Sequence, residues 1–362
     1  MERARLLIEQ AETLGEPPED PLLLYSVIYG VWVANYIAFN GDVCRDVAAR
    51  FLALAEKQGT TIPLMIGHRI TGVTLVSTGD FVESRVHLDR AFALYDPTEH
   101  RVPATRFGQD PGVTILSFRS WVRWFLGYPE AALMDADHAL REIGQAATLM
   151  MALTCIGFHH RLSRNYVRAQ SLLEELDTLA EAKGAAYWKA TGTVLRGELF
   201  ALTGKASVAA QTLPAGLTAT RSTGATLYFP TYLSSLARAY EELGKFNDAR
   251  RCIDEALTAV EATEERMLEA EINRVVGEIA LASPEHDAAK AETYFERALA
   301  VARQQQAKSW ELRATMSRAR LWRDQGKPQQ ARELLAPVYG WFTEGFDTLD
   351  LKEAKALLSE LA

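Results

Sequence analysis

Cysteine is nearly missing from this chain. Cys44, Cys155 and Cys252 form an odd, widely separated set among 362 residues, with no CxxC pair. That pattern argues against a disulfide framework and against zinc ligation, and leaves three small hydrophobes suited to a reducing cytoplasm. Basic charge is also short: 39 Lys and Arg against 47 Asp and Glu leave a net charge of −8. Duplex nucleic acid is thereby disfavoured as the main partner, because neutralising phosphates needs a cationic surplus. Alternation of apolar and polar residues between turn signals is lacking throughout, so no sheet is expected. Catalytic signatures are lacking too, with no HExxH, no GxSxG and no acidic pair placed on strands. Gly204-Lys205 follows Gly197 at the wrong distance for a phosphate loop and is followed by Ala206 in place of Ser or Thr. His159 and His160, close to Cys155, are neighbours on a helical run, where successive side chains diverge by about 100° and cannot readily share an ion. The expectation is a chain with no catalytic residue, no metal site and no cofactor.

Long apolar runs are rare, with one exception. PLLLYSVIYGVWVANYIAFNG, between Asp20 and Asp42, is uncharged and long enough to span a bilayer. It carries Asn35 and Asn40 and has no cluster of basic flanking residues. A helix apolar all round is equally the interior of a large protein, so no membrane span is expected. Met1–Gln10 is already charged and helix-patterned, which is unlike a signal peptide, and the location expected is cytoplasmic.

What the chain does have is a phrase repeated about every 40 residues: a helical run, a tight polar turn, and a second helix carrying Ala. The turns are Gly41-Asp42, Gly79-Asp80, Gly127-Tyr128, Arg164-Asn165, Gly204-Lys205, Gly244-Lys245 and Gly326-Lys327. Paired helices approach closely only where side chains are small, and this offers a test. Seven residues before each turn stand Ala34, Gly72, Ser120, Gly157, Gly197, Ala237 and Ala319. Five residues after stand Asp46, Ser84, Ala132, Ala169, Ala209, Ala249 and Ala331, where only Asp46 is out of place. A further unit with a longer turn keeps Gly277 and Ala291, followed by Phe295 and Ala298. Units of this size cannot bury a core alone, so they stack into a solenoid, an architecture that usually serves as a docking surface.

This register resembles the tetratricopeptide repeat, although the period is longer than the usual 34 residues. The resemblance implies an all-α, right-handed tetratricopeptide-like α-solenoid of about eight helix pairs, read as one array over 1–362. Its parts are an orphan second helix at 1–15, helical pairs at 22–58, 62–95, 112–145, 148–183, 185–222, 226–263, 267–306 and 308–343, and a capping helix at 347–362. In place of Gly, Arg164 puts the left-handed geometry of its turn in doubt.

In such arrays the first helices line a concave face that touches ligand. Carried over by distance from each turn, those positions are Asn35, Arg69, Trp121, Trp124, Arg161, Glu198, Arg238, Glu241, Arg320 and Arg323. Arg pairs bidentately with carboxylate or phosphate, and Trp stacks on a ring or a cation. The alternative is that some of these arginines pair with Glu198, Glu241 or Asp324 inside the groove. Tyr25, Tyr29, Trp32 and Tyr36 share one helical face, suited to packing against the next helix or to an aromatic cage. The turn-rich stretch Tyr95–Gly112 supplies a second patch, Arg106, Gln109 and Asp110, since loops interrupting a scaffold often carry function; it equally suits a proline-ordered bridge between units.

Three phrases carry a narrower resemblance: LIEQAETLGEPPEDP, AFALYDPTEHR with RFGQDPGV, and LLAPVYGWFTEGFDTLDLKEAKALL. They are similar to the carboxy-terminal region of bacterial multidomain class III adenylate/guanylate cyclases, in which a cyclase domain and an ATPase module precede a tetratricopeptide tail. The resemblance implies a non-catalytic regulatory scaffold that docks a protein or peptide in its groove, with cyclase or ATPase modules as partners in cis or in trans. It also makes the chain a piece, or a truncated relative, of a longer protein. A different class of function, a small-molecule sensor binding near the 95–112 loop and Trp121 and Trp124, stays open beside it.

Overall fold

The computed structural model describes residues 21–97, 107–141 and 143–362. The orphan helix expected at 1–15, and Arg106, lie outside them. Seventeen helices and no strand are found among the described residues. They form eight antiparallel pairs, each a first helix, a tight turn and a second helix. The first four pairs are α1 (Pro21–Ile37) with α2 (Gly41–Gln58), α3 (Thr61–Thr78) with α4 (Phe81–Ala93), α5 (Pro111–Phe125) with α6 (Pro129–Ala139), and α7 (Ala146–Leu162) with α8 (Tyr166–Ala182). The last four are α9 (Ala186–Leu202) with α10 (Ala206–Ser222), α11 (Phe229–Glu242) with α12 (Phe246–Thr263), α13 (Glu269–Ala282) with α14 (Ala288–Gln304), and α15 (Lys308–Asp324) with α16 (Pro328–Gly340). A final helix, α17 (Leu349–Glu360), covers the last pair with Leu351, Ala354 and Leu357. The fold is an all-α tetratricopeptide-like solenoid. No described helix is long and apolar enough to cross a membrane; α1 buries Tyr25, Ile28, Trp32 and Tyr36 inside the protein.

The small positions do what the spacing predicts in every unit but the first. Ser84, Ala132, Ala169, Ala209, Ala249 and Ala331 are each at most 1% exposed. A methyl group added at Gly72 would meet Leu88 at 2.7 Å, one at Gly197 would meet Leu213 at 2.8 Å, and one at Gly277 would meet Phe295 at 2.4 Å. In the first unit the register slips. Asn40 caps α2 by accepting from the Val43 N–H, so the turn precedes Gly41, which is the first residue of the helix. Cys44 then takes the small buried place, while Asp46 and Ala34 are surface residues. Gly41 is small for another reason: a methyl group there would meet the Thr263 carbonyl oxygen at 2.9 Å.

That contact between distant units belongs to a seam. Thr226 and Leu227, just before α11, both donate backbone N–H to the Ile37 carbonyl, at 3.0 and 3.1 Å. Arg266 and Met267, before α13, do the same to the Ser77 carbonyl, at 3.0 and 3.1 Å. The Ser309 hydroxyl donates to the Trp124 carbonyl, and the Arg313 guanidinium to the Leu162 carbonyl. The first unit thus meets the sixth, the second the seventh and the third the eighth. All four acceptors stand at the carboxyl ends of first helices, where carbonyls lack an intrahelical donor; that of Trp124 also accepts from the Gly127 N–H of its own turn, at 3.0 Å. The solenoid satisfies them by closing on itself.

Arg164 keeps the left-handed turn after all, with φ at 58°. A non-glycine residue there costs on the order of 1–2 kcal/mol. Its side chain is tied to the capping helix, 3.3 Å from Asp350 and 2.9 Å from Glu353, which offsets that cost.

Two glycines in equivalent places should respond oppositely to alanine. At Gly157 the added methyl finds nothing nearer than 3.7 Å, so Gly157→Ala should stabilise by about 0.5–1 kcal/mol through helix propensity. At Gly197 it would lie 3.0 Å from the Leu213 backbone N, and Gly197→Ala should destabilise by about 1–3 kcal/mol. Thermal melts followed by circular dichroism should move in opposite directions for the two variants.

Candidate functional site

Because the seam closes the solenoid, the face lined by first helices is largely an interior, and this decides the fate of the ten groove positions. Trp121 and Trp124 are not free to stack on a partner, being 1% and 2% exposed. Trp121 donates its indole N–H to the Cys155 carbonyl at 2.7 Å and packs on Phe118 and Phe158. Trp124 does stack on a cation, but the cation is Arg313, 5.0 Å from its ring and 5.1 Å from that of Trp310. Asn35 is buried and donates to the Val31 carbonyl of its own helix.

The arginines divide. Arg161 pairs with the fully buried Glu198 at 3.2 Å and lies over the Phe158 ring. Burial raises the Glu198 carboxyl, and Arg161 with the Ser235 hydroxyl opposes this only in part. Arg238 pairs with Glu278 at 3.4 Å, Arg320 with Glu353 at 3.4 Å, and Arg323 with Asp324 and Glu360. Two of these pairs, Arg161 with Glu198 and Arg323 with Asp324, use carboxylates that the internal-pairing alternative names, whereas Arg238 and Arg320 pair with Glu278 and Glu353, which it does not. Arg69 is different: it is 1% exposed and neither terminal nitrogen has a hydrogen-bond partner among the described residues. Its guanidinium sits 5.2 Å from the Tyr29 ring centroid.

Two of the cavities among the described residues lie along this face. The first, of about 410 Å³, lies among the first helices of units one to five and is walled by aromatic rings, with Arg69 and Gln109 on its surface. The second is a crevice of about 240 Å³ between units four to eight and α17. It is lined by Arg164, Arg238, Arg274, Arg313 and Arg320 facing Glu242, Glu271, Glu278, Asp350 and Glu353. Burial raises the Glu271 carboxyl, but Arg274, at 2.6 Å, outweighs it and holds the group down at about 2. Arg274 also pairs with Glu278. Sequence spacing placed Arg238 and Arg320 here but missed Arg274, Arg313 and Glu271. Arg274 and Glu271 lie on α13, whose unit has the longer turn. Glu241 is partly buried near the crevice residues Arg238 and Glu278, and burial raises its carboxyl.

Of the loop patch, Asp110 is structural. It caps α5 by accepting from the Val113 N–H at 3.1 Å, accepts from the Tyr95 hydroxyl at 3.1 Å, and donates its own N–H to Thr148 at 3.0 Å. No group of three or more potential metal-ligating His, Cys, Asp or Glu side chains occurs among the described residues.

Profiles of the tetratricopeptide repeat match two segments, residues 231–264 and 312–337. In those two places the repeats match the tetratricopeptide pattern. The segments correspond to α11 with α12 and to α15 with most of α16. Among solved structures, the apo form of RapI is similar in fold, at 12% identity and a TM-score of 0.51, covering 82% of this chain and 99% of that one. A tetratricopeptide repeat protein from Parabacteroides merdae aligns at 17% identity and a TM-score of 0.42, covering 74% of this chain and 91% of that one. No curated protein matches the sequence. The tetratricopeptide repeats support a protein-interaction scaffold.

Glu265, buried where the segment before α13 meets the seam, accepts from the Tyr228 N–H at 3.0 Å. Burial pushes its carboxyl up from 4.5 to about 8, with the Tyr228 N–H opposing. Burial likewise holds His159 at about 3 and His68 and His160 at about 4. Between pH 6.5 and 8 the folded chain keeps a Glu265 proton that the unfolded chain has shed, so stability should fall as pH rises. From pH 6.5 down to 4.5 the unfolded chain gains three histidine protons that the folded chain refuses. Those three outweigh Glu265, and stability should fall again toward acid. A melting-temperature series should peak near pH 6.5, and Glu265→Gln should flatten the alkaline side.

Proposed function

We propose that this chain is a non-catalytic regulatory scaffold that docks a partner protein through the charged crevice of units four to eight. The observation that carries the reading is the crevice itself. Its side chains Arg238 and Arg320 keep 30% and 41% of their exposure and form long 3.4 Å pairs with Glu278 and Glu353, carboxylates that Arg274 and Arg164 also hold. Half-exposed pairs of that kind contribute little to stability and can be exchanged for a partner's charges at small cost. The aromatic half of the interior has no carboxylate among its described lining residues, so a segment bearing charges of both signs is matched by the charged half. The three quoted phrases resembling the tail of class III cyclase–ATPase proteins support cyclase or ATPase modules as the partners, in cis or in trans, in a cytoplasmic signalling role.

The double variant Arg238→Glu, Arg320→Glu tests this directly. Titrated against purified cyclase and ATPase modules of a protein of that architecture, the native chain should form a salt-sensitive complex. The double variant should weaken it at least tenfold with an unchanged helical spectrum. Undiminished binding would refute the crevice assignment. With ATP and a divalent metal, the chain alone should yield no cyclic nucleotide.

A further inference from the structure

The aromatic cavity of units one to five takes no part in that docking, and its composition points to a ligand of another kind. We infer that it is a binding site for a small, flat, apolar molecule carrying one anionic group, held by Arg69.

The cavity, about 410 Å³, falls within the range usual for small-molecule sites. Its walls are the rings of Tyr29, Trp32, Tyr36, Phe118, Trp121 and Trp188. The polar handles of three of these are already occupied. Trp32 donates to Thr74 at 2.9 Å, Trp121 to the Cys155 carbonyl, and the Tyr36 hydroxyl is bonded to Ser77 and Tyr228. Those rings offer the cavity apolar surface, with Trp32 and Tyr36 stacked at a 17° interplanar angle. Against this stands one uncompensated cation. No carboxylate lines the cavity among the described residues, and both terminal nitrogens of Arg69 are buried without a hydrogen bond.

A buried guanidinium with only a ring beside it is costly, because its lost hydration is not replaced. Across the same array Arg161, Arg238, Arg320 and Arg323 all have a carboxylate. An anion entering the cavity would supply to Arg69 what those four have, in the bidentate geometry guanidinium favours. Gln109, Tyr187 and Trp188 are partly exposed and mark the side from which a ligand enters.

The position also gives the ligand leverage on the fold. Leu227 and Tyr228, which line the cavity, lie in or beside the segment that closes onto the Ile37 carbonyl. An occupant bridges units one to five and the seam, and binding only the closed form it stabilises that form by mass action.

Calorimetric titration of the full chain with 2-naphthoate and its neutral counterpart 2-naphthamide tests the proposal without any protein partner. The naphthoate should bind at least tenfold more tightly than the amide and raise the melting temperature more. Arg69→Met should reduce naphthoate to the affinity of the amide while leaving the amide unchanged. Thr154→Phe, which fills the cavity from α7, should abolish both. Equal affinities in the native chain would overturn the assignment, as would no heat from either compound at millimolar concentration. A naphthoate preference surviving Arg69→Met would overturn it too. Should Arg69→Met fail to fold, the naphthoate–amide comparison in the native chain and the Thr154→Phe result still decide.

Discussion

Every helix leaves its last carbonyls without a donor inside the helix. In this protein the carbonyls of Ile37, Ser77, Trp124 and Leu162 stand in the last turns of the first helices of successive units, and the chain five units later, or in the last case Arg313, donates a hydrogen to each, that of Trp124 accepting from the Gly127 N–H as well. That arrangement determines the rest. It turns what would be an open concave face into an interior, demands small residues such as Gly41 where distant units touch, and buries Glu265 in the seam beside the half-buried Tyr228. The aromatic rings of the first helices then have one another to pack against in place of solvent or a partner.

Charge follows the same division. Where the interior is closed and apolar, ionic groups survive by pairing: Arg161 with Glu198, and Arg119 with Asp135 at 2.7 Å. In the crevice, where side chains such as Arg238 and Arg320 stay partly exposed, a dense set of Arg and Glu lines α11, α13, α15 and α17. Arg69 belongs to neither pattern, which is what singles it out. One scaffold therefore offers two chemically different surfaces, an aromatic one and an ionic one, separated along its length.

Much of this architecture can be read from local spacing, because tetratricopeptide-like packing is a short-range matter. The Gly72–Ser84 and Gly197–Ala209 pairings involve residues a dozen positions apart, and the small side chains mark them. The groove positions were found by the same counting, and it brought out both Arg69 and the crevice arginines Arg238 and Arg320. The first unit misled because Gly41 looks like a turn glycine but is small for the sake of Thr263, more than two hundred residues away. Arg164 misled in the opposite sense, since its compensation lies on α17. Burial of Trp121 and Trp124 was invisible for the same reason. Whether a concave face is open depends on the pitch of the superhelix, and pitch is set by contacts between units five apart that leave no periodic trace.

The seam has a thermodynamic consequence. An open solenoid behaves like a one-dimensional chain, in which each repeat knows only its neighbours and the ends can fray independently. Here bonds from the first unit to the sixth and from the second to the seventh add a lateral direction, as the second axis of a lattice does. Loosening either terminus then withdraws support from the middle of the array, so melting should spread as a single cooperative event.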